Sequence, residues 1–117
     1  MVLMFWSEAM LSRITEKQFT AQIIALAHLY GWRACHFRPA MTRAGKWVTA
    51  VQGDGAGFPD LLLLRGKTQL AVELKVGKRG LTDEQAEWIA AFHEAGVAAY
   101  CWRPSDWELI ESILENS

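Results

Sequence analysis

Residues 57–75 read GFPDLLLLRGKTQLAVELK. Two apolar runs, 60–64 and 69–74, flank the polar tip Arg65-Gly66-Lys67-Thr68, and the other charges are Asp60, Glu73 and Lys75. Runs apolar at nearly every position predict strands covered on both faces, as in the middle of an α/β sheet. Gly66-Lys67 suits a two-residue type II′ turn, because glycine takes the positive φ that its first position needs. That turn fixes the register: Arg65 faces Thr68, Leu64 faces Gln69, and Asp60 falls opposite Glu73. Opposed residues have Cβ atoms about 4.5–5.5 Å apart on one face. Lys75, two residues beyond Glu73, points the same way.

Two half-buried carboxylates at this separation repel each other, and desolvation adds to the cost. A divalent cation between them removes the conflict, and hard oxygen ligands suit Mg²⁺ or Mn²⁺. Lys75 then stands where it can position a water or stabilise charge on a phosphate. The alternative is a buried Asp60–Lys75–Glu73 ion-pair network with no chemistry. Apolar replacements of such networks are often neutral or stabilising, so a purely structural role explains this one poorly. A slip of one residue in register would destroy the arrangement.

Outward from the hairpin, Thr15-Glu16-Lys17-Gln18 fits a capping box. Phe19, Ile23, Leu26, Ala27 and Tyr30 then recur at helical spacing up to Gly31. Glu16 lies in the first turn, where complementing the helix dipole is enough to account for it. WRACHFR (32–38) reads as a strand closed by Pro39, and a lone His36 among aromatics fits a satisfied core histidine. Residues 39–58 hold four glycines and no clear period, which predicts a long loop. Thr82-Asp83-Glu84-Gln85 repeats the capping box, so the position of Gln85 is explained by its cap, and a helix should run through Trp88, Ile89 and Phe92 to Gly96. VAAYCW (97–102) is a fourth strand, and Pro104-Ser105 opens a last amphipathic helix carrying Trp107, Ile110 and Leu114. The order α-β-β-β-α-β-α gives an α/β fold with a mixed central sheet flanked by helices.

The chain's 117 residues are enough for one domain with a real core. A formal net charge of −1 means that any attraction to nucleic acid must come from local patches. Arg33, Arg38, Arg43 and Lys46 occur with no acid among them, and Lys78-Arg79 follows the second hairpin strand. These cations could neutralise phosphates, and Trp47 could stack on a base, although each taken singly also fits ordinary solvated surface. Cys35 and Cys101 read as buried free thiols of a reducing cytoplasm. The apolar start MVLMFW is too short for a signal h-region, and no segment reaches membrane-spanning length, so a cytoplasmic protein with no membrane partner is expected. Residues 1–14 read as an N-terminal arm, either a docking arm or an extra turn of helix, and 15–117 as the folded domain.

Pro59-Asp60 followed by Glu73-Leu74-Lys75 across a hairpin resembles the PD-(D/E)xK nuclease motif, whose core is also α-β-β-β-α-β. The likeness extends to the Glu-x-x-Phe helix ending in Gly-Trp, the strand with His36, Gly-Phe-Pro-Asp, Leu-Thr-x-Glu-Gln-x-x-Trp and Trp-Arg-Pro-Ser-Asp-Trp. In these the chain is similar to the small stand-alone VRR-NUC (virus-type replication-repair nuclease) proteins of phages and bacteria, from Thr15 to Leu114. The resemblance implies that Asp60 and Glu73 bind Mg²⁺ or Mn²⁺ together with the Leu74 carbonyl, and that Lys75 is the catalytic lysine. It further implies that Glu16 joins the site directly or through a water, that Gln85 orients a water or phosphate, and that His36 contacts a phosphate.

The activity so implied is metal-assisted hydrolysis of DNA phosphodiesters, structure-selective for branched DNA in the manner of a Holliday-junction resolvase of repair and recombination. A homodimer and no organic cofactor go with it. Two alternatives remain: a flap or nicking nuclease without four-way-junction preference, and a DNA-binding module that has lost activity. Against the second stands the presence of all four expected charges.

Overall fold

The computed structural model describes residues 13–37, 40–41, 43–48 and 53–117, with the backbone alone for 40–41 and 47–48. Helix α1 spans Glu16–Leu29. Its capping box is formed: Thr15 Oγ1 accepts the Gln18 N–H at 3.1 Å, and Gln18 Oε1 accepts the Thr15 N–H at 2.9 Å. Strand β1 (Arg33–His36) follows, then β2 (Ala40–Met41) and β3 (Trp47–Val48). These last two pair as an antiparallel ribbon inside what the sequence marks as a loop. Two residues per strand are too few to show a period of two, which is why the ribbon leaves no pattern.

Strands β4 (Leu61–Arg65) and β5 (Thr68–Leu74) form the central hairpin in the register the turn dictates, with Arg65 opposite Thr68 and Leu61 opposite Val72. Gly66 has φ 60°, and no described non-glycine residue has positive φ, so Lys67 does not. A positive φ confined to the first turn position is the type II′ signature. Helix α2 (Asp83–Glu94) has its own complete capping box, and β6 (Ala98–Trp102) pairs parallel to β5. A 3-10 turn (Pro104–Asp106) then precedes helix α3 (Trp107–Asn116), so the last α-helix starts at Trp107 rather than at Pro104. The sheet order is β1-β4-β5-β6, and the expected α/β architecture is present with the short ribbon inserted. Among the described residues no helix is long and apolar enough to cross a membrane.

One face of this sheet carries Leu61, Leu63, Leu70, Val72, Leu74 and Trp102, all buried under Phe19, Ile23, Leu26 and Ala27 of α1 and Trp107, Ile110 and Leu114 of α3. The opposite face is built differently. Helix α2 crosses β5 and β6, where the small residues Ala71 and Ala99 are buried beneath it, and it has no buried residue of its own. The β1–β4 half of that face is less buried: Leu64 is 48% exposed and Leu62 half-buried. The expectation that both hairpin strands are covered on both faces therefore holds for β5 and fails for β4. The expectation that both cysteines are buried does not hold either. Cys35, on edge strand β1, is exposed, and Cys101 is partly so. Burial pushes the Cys101 thiol up, as does the charge of Glu73 beside it, while the Arg103 charge opposes the rise.

Arg65, read in sequence as a surface charge at the hairpin tip, ties three elements together. Its guanidinium donates to the carbonyls of Tyr30 (3.0 Å), Leu114 (2.8 Å), Glu115 (3.4 Å) and Ser117, and lies 4.6 Å from the centre of the Trp32 ring. A fixed cation at the last carbonyls of α3 satisfies acceptors that the helix leaves free, where the dipole favours positive charge.

Candidate active site

Asp60 is the last residue before β4, and its carbonyl accepts the Phe37 N–H at 2.9 Å, continuing the pairing with the end of β1. Its Oδ2 accepts the Leu74 N–H at 2.8 Å, across the mouth of the hairpin. An extended residue points its N–H and C=O to the same side of the strand. The Leu74 carbonyl therefore turns toward Asp60, past the last cross-strand pair Leu61–Val72.

Glu73 is 4% exposed and shares a hydrogen bond with the Asp60 side chain. Its carboxyl is pushed up to about 9, first by burial, then by the hydrogen bond and negative charge of Asp60, with a further contribution from Glu16; Lys75 opposes the shift. At neutral pH the Glu73 carboxyl therefore holds its proton. Ionising Glu73 beside Asp60 would set two negative charges side by side, with Lys75 opposing them.

These groups line one cavity of about 160 Å³, which brings together Glu16, Asp60, Glu73, Leu74, Lys75, Val76, Arg79 and Gln85. All six residues expected to act in catalysis or metal binding are among them. Glu16 reaches it from the first turn of α1, on the far side of the sheet from α2. Among the described residues, no three of His, Cys, Asp and Glu are grouped tightly enough to hold a metal by themselves, so Glu16 stands outside the immediate Asp60–Glu73 pair.

The GFPD stretch fixes α2 against the hairpin. Gly57 has φ 77°, and a Cβ there would lie 2.6 Å from the Glu84 carbonyl carbon and 2.7 Å from the Gln85 nitrogen. Glycine is required twice over. Phe58 wedges edge-on between Phe37 and Trp88, at 5.3 and 4.9 Å between ring centres, and also meets Phe92. The Trp88 indole donates to the Asp54 and Ala56 carbonyls at 2.9 and 3.1 Å. Pro59 is fully buried, so the chain enters Asp60 from a rigid support. Gln85 consequently does two things at once. Its Oε1 accepts the Thr82 N–H at 2.9 Å, which fixes the amide, and the residue lines the cavity. Its cap and its place at the site are one feature.

The expected nucleic-acid contacts divide. Arg79 lines the cavity, and Lys78 is exposed beside it. Arg43 and Lys46 are exposed between β2 and β3 and are not among the cavity's lining residues. His36 pairs with Leu61, on the face that α1 covers, and is not among the lining residues. Arg38 and the Trp47 side chain lie outside the described residues. Sequence reasoning gave no part to Arg103, which donates to the carbonyls of Gly77 and Arg79 in the loop that carries Arg79 into the cavity. The signal was present in Trp-Arg-Pro-Ser-Asp-Trp, a motif otherwise left without a role.

Compared with known families, residues 6–105 match the family model described as VRR-NUC domain. No curated protein and no solved structure matched the chain.

Proposed function

The chain belongs to the VRR-NUC family, a nuclease domain with DNA as its substrate, and on that premise we propose that it is a divalent-metal-dependent endonuclease acting on branched DNA. The observation that carries the metal is the half-buried Asp60 set beside the buried Glu73 at the hairpin mouth, where burial and the charge of Asp60 push the Glu73 carboxyl up. Asp60, Glu73 and the Leu74 carbonyl would hold Mg²⁺ or Mn²⁺, with Glu16 joining through a water. When bound, such a cation supplies Lewis-acid neutralisation of charge developing on a phosphodiester.

The chain's own groups perform the rest. Lys75 leaves the sheet two residues past Glu73, where its ammonium can orient the attacking water or donate to a phosphate oxygen. The Gln85 amide, with its oxygen held by the Thr82 N–H, turns its two N–H donors to a water or phosphate without rotamer freedom to lose. Arg79 adds a second cation at the cavity, and Lys78 one beside it.

The branched-DNA preference and a homodimer follow the resemblance to junction-resolving members of the family. Two sites related by a two-fold axis match the symmetry of a four-way junction. The test incubates labelled linear duplex, flap and four-way-junction DNA with Mg²⁺, with Mn²⁺ and with chelator. Junction cleavage that needs either metal is expected. Equal cutting of flaps and junctions would reduce the reading to a flap or nicking nuclease, and binding without cleavage under both metals would leave a DNA-binding module. A monomeric mass by light scattering at micromolar concentration would remove the dimer.

A further inference from the structure

We propose that Arg103 is a positioning residue for DNA binding: it fixes the Gly77–Arg79 turn and thereby aims Arg79 at a phosphate in the cavity. The proposal rests on the nuclease reading above, because the phosphate belongs to the DNA.

The turn follows directly on Lys75. Gly77 has φ 69°, and residues 77–80 are all exposed, so no packing holds this segment in place. Its Gly77 and Arg79 carbonyls are instead taken by the two terminal nitrogens of Arg103, Nη1 to Gly77 at 3.0 Å and Nη2 to Arg79. One planar guanidinium bridging two carbonyls of a turn sets the turn's orientation as well as its distance, which a single donor cannot do.

Arg103 is itself rooted firmly. Its N–H donates to Asp106 Oδ2 at 2.9 Å, Pro104 is buried behind it, and Trp102 and Trp107 are buried on either side. The Trp102 carbonyl accepts the Lys75 N–H at 3.0 Å, so the root of Arg103 and the strand carrying Lys75 are locked in one frame. Each residue of Trp102-Arg103-Pro104-Ser105-Asp106-Trp107 except the exposed Ser105 therefore has a part in holding the guanidinium where it is. With both terminal nitrogens on carbonyls, Arg103 is poorly placed to serve the substrate as a bidentate clamp. Arg79, which lines the cavity with Lys75 and Gln85, is free of that bridging task and can meet a phosphate there.

The test is a double-mutant cycle of Arg103→Met and Arg79→Met, read as KM and kcat for DNA cleavage and as the salt dependence of DNA binding. Arg79→Met should raise KM about ten-fold, leave kcat within about three-fold, and reduce the salt slope of binding by about one, the value for one lost phosphate contact. Arg103→Met should do the same although it removes no phosphate contact of its own, and the double variant should be no worse than either single one. Trypsin should cut faster after Lys78 and Arg79 in Arg103→Met. If that variant fails to fold, Arg103→Lys takes its place: it keeps the charge but cannot span two carbonyls, so it should show the same KM rise.

Effects of Arg103 and Arg79 that multiply, or an Arg103 variant that loses kcat with KM and salt slope unchanged, would overturn the proposal while the nuclease reading stands. A wild-type chain that neither binds nor cuts DNA sinks the nuclease reading itself, and the proposal with it.

Discussion

Under α1 and α3 the sheet is sealed by Phe19, Ile23, Trp107, Ile110 and Leu114, all buried, and among the described residues no charged side chain is fully buried there. Under α2 the covering side chains Phe58, Trp88 and Phe92 are half-buried, Leu64 on the β1–β4 half is exposed, and Asp60 and Glu73 sit within the layer. The difference shows where stability and chemistry are kept. A close-packed layer tolerates neither voids nor unpaired charge. Two carboxylates, a lysine and a capped glutamine can be placed where the covering layer is thin enough to admit substrate, with the other face supplying the free energy that holds them there.

The largest effect should come from truncating the sealed face. Phe19→Ala should cost about 3–5 kcal/mol in denaturant unfolding, whereas Phe92→Ala, on a side chain already half in water, should cost about half of that or less. Equal losses would break the contrast between the faces.

Next comes the functional side. Lys75→Ala should lower kcat about 10²–10³-fold, the scale for losing a group that meets developing charge, with DNA binding and unfolding free energy largely unchanged. A Lys75→Ala protein that cuts at the wild-type rate would show that the lysine is misassigned, and one that is badly unfolded would make it part of the scaffold.

How much of this was legible in sequence depended on how far apart the interacting groups lie in the chain. The hairpin register followed from Gly66-Lys67, because a two-residue turn is decided by its own residues, and both capping boxes are contained in four. Partners far apart left no such mark. Arg65 read only as part of a polar hairpin tip and Arg103 had no reading of its own, yet Arg65 reaches carbonyls 35 and 49 residues away and Arg103 one 26 residues away. The path of α2 over β5–β6 decides that Leu64 and Cys35 are exposed, and nothing within β1 or β4 encodes that path. Glu16 stands between these cases. Its position alone suggested a helix-dipole role, and it came to the site only through the resemblance, because its approach depends on how α1 packs.

The third effect is a pH dependence confined to the thin face. Glu73 has its folded pKa raised from 4.5 to about 9, so between those values the folded state binds the proton more tightly than the unfolded chain does. Its stabilising contribution is complete below about pH 4.5 and is lost as pH rises toward 9. With chelator present, unfolding free energy should fall across this window, with a slope of at most about 1.4 kcal/mol per pH unit from this group. Glu73→Gln, which cannot ionise, should remove that slope. Mn²⁺ should raise the melting temperature of the wild type at pH 8 more than at pH 5, because deprotonated carboxylates bind it. A slope that persists in Glu73→Gln would assign the dependence to other groups.

The smallest effect is the most discriminating. In metal-free protein Asp60→Asn should be neutral or stabilising by up to about 1 kcal/mol, since the charge of Asp60 is one of the causes that push Glu73 away from its ordinary carboxylate range. The asparagine oxygen can still accept the Leu74 N–H that Asp60 Oδ2 now holds at 2.8 Å, and the amide N–H groups can donate to Glu73. Asp60→Ala lacks both and should cost about 1–3 kcal/mol by leaving that N–H without its partner. The gap between the two variants therefore measures how much of Asp60 is scaffold and how much is charge. If Asp60→Asn instead lowers the melting temperature as far as Asp60→Ala does, the negative charge itself stabilises the apo fold, as an ion pair with Lys75 would require. The hairpin mouth would then be a salt-bridge network, and the thin face would need no cation to explain it.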